Sequence, residues 1–336
     1  MLLLNFTASE MRKVRSGRIW KHDERDMLLL LIGVAQICLI ALTVVFWQDL
    51  SIAARAVAMI AVALGHWYCI AIVGHFYIHT GWFVSGLAER LAALLVSLSM
   101  GQSASAYRLS HVRNHHRYGN DRQDAHGKTC DLSSTFRHAP PGQHRGLLAY
   151  VLGGAVETFW RELGLRMAVA VMPFGFVPKP VGRLPLSRGQ SRRVREVHSI
   201  GLELGGLSLV WWALLIWRPG FAICYGIALL AAFALVNLQN YFEHFGACPE
   251  VPEANSVSHY GALYNRMTFN DGYHQEHHLR PAQHWSQLPE LRGQAHLQQA
   301  DVNPVVSPWP AVLGFLDRGR PRLDRDGAAP ECRASR

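Results

Sequence analysis

Charged residues are scarce: Asp, Glu, Lys and Arg make up 17% of the 336 residues, against roughly 25% in soluble domains. With an apolar content of 50% and unbroken apolar runs, this excludes a disordered chain and argues against a water-soluble globule. Paired cysteines are also missing. The six (Cys38, Cys69, Cys130, Cys224, Cys248 and Cys332) lie far apart with no CxxC pair, so neither a disulfide framework nor a thiolate metal site is suggested. Lys and Arg outnumber Asp and Glu by 33 to 24, a net charge of +9, yet they carry no nucleic-acid recognition motif. They flank apolar segments instead, as orientation in a bilayer requires. The expectation is a membrane protein without a nucleic-acid partner.

Four runs are long enough to cross a hydrocarbon core of about 30 Å at about 1.5 Å per residue. They are residues 27–47, 56–74 (continuing as helix through His79), 200–217 and 221–242. The links at 48–55 and 218–220 are short, which makes two hairpins. Those links hold only Arg55 and Arg218, while the N-terminal segment, the middle region and the tail hold nearly all other basic residues. The positive-inside tendency therefore puts both termini and the middle region on the cytoplasmic side, and the expected location is the cell inner membrane. Residues 1–26 contain acids and end in KHDERD, unlike a cleavable signal. They are expected to form a cytosolic N-terminal segment, followed by a membrane domain over 27–316 and a disordered tail over 317–336. The run 91–107 is charge-free but rich in Ser, Gly and Gln. It is expected to belong to a re-entrant or interfacial helical pair over 81–107 that returns to the same face. Residues 146–176 are expected to form an interfacial segment. The fold class is thus all-α integral membrane, with about four spanning helices and a cytosolic histidine-rich cap.

What the chain has in excess is histidine, 18 in all. Nine fall in four clusters: His75 and His79 in HFYIH; His111, His115 and His116 in HVRNHH; His244 in NYFEHFG; and His274, His277 and His278 in YHQEHH. Spacings of three or four put two side chains on one helical face about 5–6 Å apart, as chelation needs. An extra adjacent histidine points about 100° away, so HxxxHH and HxxHH can each serve two metals from one short helix. Nine ligands suit a dinuclear centre. From Ala56 to His75 is 19 residue steps, about 29 Å of helix, and from Phe221 to His244 is 23, about 35 Å, so both ligands surface at one membrane boundary. By ligand type alone, zinc, copper, iron and nickel all remain open. His66, in mid-span, is expected to pack or hydrogen-bond within its helix. Glu203, inside a span, is either a functional group or one that reaches water or an arginine.

The clusters HFYIH, HVRNHH and YHQEHH, in that order, resemble the three histidine boxes of the membrane fatty-acid desaturase and hydroxylase superfamily. FNDGYHQEHH is similar to the third box of acyl-lipid desaturases. NYFEHFG is similar to the NYxEHYG motif of alkane hydroxylases, with Phe245 where that group carries Tyr. The resemblance covers roughly residues 28–290. It implies a non-haem di-iron centre, two iron ions ligated by the nine histidines above, and O2 as co-substrate. It also makes Asn240, Glu243, Asn270, Asp271 and Glu276 candidates for orienting the imidazoles.

The activity implied is oxidation of an unactivated C–H bond in a lipid or acyl-thioester substrate. Loss of a second hydrogen gives an alkene, and transfer of oxygen gives an alcohol. Desaturation of an acyl chain is the leading reading; hydroxylation of an alkane, an acyl chain or another small substrate is the alternative. No haem-binding or iron–sulfur segment is fused to the chain, so electrons are expected from an external ferredoxin-, rubredoxin- or cytochrome-type donor. A membrane zinc hydrolase would need only three histidines and a water, and a metal transporter would carry its ligands along a path through the bilayer. Nine ligands at one face suit neither.

Overall fold

The computed structural model describes residues 17–170, 184–292 and 303–324. Residues 1–16, the stretch 171–183 with Pro173, His296 and the chain beyond 324 lie outside the described residues, and so do the sequence expectations that fall on them. The helices in chain order are α1 (Asp26–Val45), α2 (Ile52–Tyr68), α3 (His75–Thr80), α4 (Gly86–Met100), α5 (Ala104–Ser110), α6 (Leu147–Ala170), α7 (Gln190–Trp217), α8 (Pro219–His244), α9 (Ala262–Met267) and α10 (His274–Leu279). A π turn, Cys69–Gly74, joins α2 to α3, and a second, His111–His115, follows α5. Two compact units result, one of residues 1–109 and 160–232, the other of residues 110–159 and 233–336.

Among the described residues, four helices are long and apolar enough to cross a membrane: Asp26–Val45, Ile52–Thr80, Gln190–Trp217 and Pro219–His244. Only 28–39% of each apolar window is buried by protein. Leu31, Leu42, Val57, Ile60, Leu209, Trp212, Ile216 and Ile223 are left exposed. Apolar surface on that scale needs a hydrocarbon solvent, and the protein is an all-α integral membrane protein. The second and third spans run beyond the apolar stretches seen in the sequence, because the helices continue into residues that also favour helix.

In the first unit, α1 packs on α2 and α4, and α4 packs on α7. A buried cluster of Ile40, Val44, Trp47, Val62, Phe221 and Tyr225 lies near the hairpin links. At one link, Arg55 donates through Nε to the Trp47 carbonyl (2.9 Å) and lies over the Trp47 ring. At the other, Arg218 lies over Trp217. Such pairs suit a membrane interface, where an apolar ring meets water.

The expected helical pair over 81–107 takes the form of α4 and α5. The 15 residues of α4 span about 22 Å, short of a hydrocarbon core. The helix stops at Gly101, whose φ of +72° few other residues adopt. His66 packs as expected: its Nδ1 donates to the Ser99 carbonyl (2.8 Å), and its ring meets Tyr225 edge-on. Glu203 reaches neither water nor arginine. It accepts from the hydroxyls of Ser103 and Ser105 (both 2.6 Å) and from the Ser105 N–H (2.9 Å), which anchors the α4–α5 turn to α7.

The second unit carries α9, α10 and a two-residue parallel strand pair, Val257–Ser258 with Val305–Val306. Of the segment 317–336 that the sequence reads as a disordered tail, residues 317–324 are described and make specific contacts. Arg320 is buried, the Leu323 N–H donates to the Gly246 carbonyl (2.8 Å), and Arg322 lies over Phe245. Segment 317–324 is held by ion pairs and ring contacts that hydrophobic patterning does not register.

The Glu203 anchor is testable. Glu203→Ala strands one buried and one half-buried hydroxyl, a cost of about 1–3 kcal/mol for a buried unsatisfied group, whereas Glu203→Gln keeps an acceptor. In detergent, the alanine variant is expected to melt well below the wild type and the glutamine variant close to it. Equal melting of all three proteins would show the anchor to be idle.

Candidate metal centre

The two candidate ligands of the first unit lie on one short helix. His75 and His79, four residues apart on α3, bring their ring centroids to 5.1 Å. The π turn before them is buried throughout. It shifts the helical phase by i→i+5 bonding, a device frequent at functional sites.

In the second unit, seven imidazoles sort into two groups. His115, His244, His274 and His278 are all buried, with ligand atoms within 4.8 Å of one another. His111, His116 and His277 form a second group by the same measure. The sorting cuts across the expected spacing. The π turn at 111–115 sets His111 Nε2 3.1 Å from His116 Nε2, five residues on, and leaves His115 to the other group. On α10, His274 joins His278, four residues on, rather than His277, three on. Each doubled histidine thus faces both ways, as its roughly 100° separation on a helix requires.

The protonation pattern of the four-histidine group suits a metal. His115 Nδ1 meets Asp131 Oδ2 (2.8 Å), and His244 Nδ1 meets the Asn255 carbonyl (3.0 Å). Both partners are acceptors, so both Nδ1 atoms carry the proton, and the bare Nε2 lone pairs face each other at 3.1 Å. Two lone pairs so placed in a buried site repel unless a cation lies with them. Burial, reinforced by His274, His244, His115 and His277, pushes His278 well below the usual histidine range. That keeps it in the neutral form that binds metals. An all-imidazole donor set fits iron as well as zinc, copper or nickel.

The polar neighbours named from sequence fall into three kinds. Glu243 Oε2 stands 3.7 Å from His274 Nε2, and Gln239 Nε2 donates to both Glu243 (2.9 Å) and Asp271 (3.0 Å). Glu276, on α10, accepts from Tyr260 Oη (2.7 Å) and Ser258 Oγ (3.0 Å), and burial raises its pKa. Asn240 donates to Tyr150 Oη (2.6 Å), which in turn donates to the Ser133 carbonyl (2.6 Å). Asn270 does different work. At φ +64° it turns the chain into α10 and donates to the Trp285 carbonyl (3.1 Å).

Sequence reasoning missed Asp131, the direct partner of His115. Asp131 also accepts from the N–H of Asn120 (2.9 Å) and from the N–H and hydroxyl of Ser133 (both 2.8 Å). Burial opposes its ionisation, yet His115 and Ser133 hold its carboxyl below the usual range. Asn114, in the π turn, bonds both Cys130 O and Leu132 N (2.8 Å each) and so fixes the loop that presents Asp131. Asp131 lies sixteen residues from His115 in a loop, with no periodicity to single it out.

Partners of this kind are worth about 10–100-fold in metal affinity or activity. Asp131→Ala is therefore expected to lower metal retention against a competing chelator by that factor, with Asp131→Asn in between. Unchanged retention in the alanine variant would remove Asp131 from the site.

The sequence model of the fatty acid desaturase family matches residues 50–306, which takes in all four histidine clusters. Curated relatives match over shorter stretches. A sphingolipid delta(4)-desaturase of Candida albicans is 44% identical over 67 residues, 20% of this chain and 18% of that protein. A sphingolipid delta(4)-desaturase of Komagataella phaffii is 46% identical over 54 residues, 16% of this chain and 15% of that protein. The match thus spans less than a fifth of the length of either relative. No solved structure matches the chain. With the family pattern extending over well more than half of its residues, the chain belongs to the fatty acid desaturase family.

Proposed function

We propose that the protein is an O2-dependent desaturase of a lipid acyl chain, using two non-haem irons. The observation that carries the reading is the pair of histidine groups within one unit, with the lone pairs of His115 and His244 turned on each other at 3.1 Å. In this reading His115, His244, His274 and His278 hold one iron, and His111, His116 and His277 contribute to the other. His75 and His79 complete the ligand set, on their chelating spacing and their place as first box. When bound, iron supplies O2 activation and oxidation of the C–H bond.

The chain's own residues do the rest. Asp131 and the Asn255 carbonyl hold His115 and His244 in the tautomer that offers Nε2. Glu276, fixed by Tyr260 and Ser258, steadies α10 between its three ligands. Burial of the four-histidine group keeps water from the reacting carbon. The spanning helices present the substrate from the bilayer. The site and both termini lie on the cytoplasmic side of the inner membrane, where the basic residues gather. There an external electron carrier, of ferredoxin, rubredoxin or cytochrome type, reaches the centre from an aqueous compartment. The matching relatives, sphingolipid delta(4)-desaturases, make sphingolipids a substrate class to test beside phospholipids and acyl thioesters.

Hydroxylation is the second reading, and NYFEHFG is the feature that favours it. Mass spectrometry of lipids and acyl thioesters from expressing cells under oxygen-18 gas separates the two. Desaturation is expected to remove two mass units without incorporating label, and His115→Ala is expected to abolish the change. One labelled oxygen in the product would replace desaturation with hydroxylation.

A further inference from the structure

A charged side chain buried away from water costs several kcal/mol unless it is paired and fully hydrogen-bonded. Arg320 is such a side chain, 2% exposed, and it lies in the segment whose sequence reads as tail. We infer that Arg320 is a positioning residue for the metal centre, fixing His244 against the α10 ligands; the inference rests on the reading of these histidines as iron ligands.

Its guanidinium divides its donors between the two ligand-bearing elements. Nη1 donates to the carbonyls of Phe242 (2.7 Å) and Phe245 (3.3 Å), on either side of His244 at the end of α8. Carbonyls of a last helical turn lack intrahelical partners, and a cation there meets the negative end of the helix dipole. Nη2 donates to Ser307 Oγ (3.1 Å), and Nε pairs with Asp317 (3.1 Å), which offsets the buried charge. The Ser307 N–H donates to the Ser258 carbonyl (2.9 Å). Ser258 Oγ in turn donates to Glu276 (3.0 Å) and accepts from the Gln275 N–H (3.0 Å). Gln275 and Glu276 sit between His274 and His277 on α10.

One guanidinium therefore grips α8 directly and α10 through two serines. These are the helices whose His244 and His278 rings stand 4.9 Å apart and whose His244 and His274 rings stand 5.4 Å apart. The turn after His244 is shaped to admit the clamp. Gly246 has φ +93°, and a Cβ there would lie 2.6 Å from the Pro321 carbonyl. Any other residue would be strained and would push the clamp away.

A clamp that only stabilised the fold would weaken both irons together when removed. The clamp's direct hold is on α8, whose one histidine in these groups, His244, belongs to the four-histidine group, so its removal weakens that iron first. The test is iron content and Mössbauer spectra of the full-length protein loaded with iron-57 in detergent, with melting temperature followed in parallel. The wild type is expected to hold two irons per chain. Arg320→Met is expected to lose one class of iron signal while keeping the other, so that content falls by about half. Gly246→Ala is expected to do the same, and Arg320→Lys, which keeps the charge but not the fork, to fall between. Two irons with wild-type spectra in Arg320→Met, or equal loss of both signals, would overturn the inference. Should that variant not accumulate, Arg320→Lys decides: an unaltered spectrum refutes the clamp, and selective loss upholds it. A wild type without iron would refute the ligand reading itself, a result distinct from a two-iron wild type whose variants are unchanged.

Discussion

Seven imidazoles packed into one unit, with ring centroids as close as 4.4 Å between His116 and His278, set the constraint on which the second unit is built. Each neutral ring brings one lone pair and one N–H, and neither tolerates burial without a partner. The lone pairs of His115 and His244 are turned on each other, an arrangement that a cation would satisfy. For His115 and His244 the N–H is satisfied outward, by a carboxylate and a carbonyl. Asp131 and the Asn255 carbonyl are acceptors set on the far side of their rings. The loop that presents Asp131 is itself tied down by Asn114 and Asp121, the latter accepting from the Asp131 N–H at 2.8 Å. Order in the site is thus imposed from its rim.

The same constraint explains the doubled histidines. A regular helix would stack the ring at i over that at i+4 and leave i+5 to one side. The π turn at 111–115 instead places i and i+5 within 3.1 Å. His115 is released to the four-histidine group, so one turn of chain serves two groups with no added length. The π turn ahead of His75 is bought at similar cost in regularity, since π turns are rare and persist mainly where function needs the shifted phase.

The spanning helices, the histidine clusters and the α4–α5 pair were all legible in the sequence, because each is written in local spacing. Long charge-free runs, ligand intervals of three and four, and a Gly at a helix stop need no knowledge of distant residues. Asp131, Tyr260, Ser258 and Arg320 were not legible. Their partners lie 16 to 78 residues away, and the four residues themselves stand outside the helices, where no helical period marks one polar residue above another. Glu203 was noticed as costly but misread, since its Ser103 and Ser105 partners are about a hundred residues distant. Asn270 shows the opposite error: its place beside a histidine box suggested contact with the ligands, whereas its positive φ and its bond to Trp285 show a turn residue. Segment 317–324 reads as tail because charge and proline dominate it. Those charges are the means by which it is held.

The placing of His79 and His244 at helix ends follows from the same electrostatics. The span Ile52–Thr80 ends one residue after His79, and the span Pro219–His244 ends on His244 itself. At both termini the last carbonyls have no intrahelical partner, and the dipole presents its negative pole. That terminus is a poor place for a second acceptor and a good one for a cation. In α8 the demand is met twice over, by the guanidinium of Arg320 on the carbonyls of Phe242 and Phe245 and by the lone-pair face that His244 turns toward His115. In the second unit, the end of α8 thus uses what a membrane helix leaves unsatisfied. The hydrocarbon requires each helix to close its own hydrogen bonds along its length, and only the last turn, clear of the lipid, has polar groups left to give.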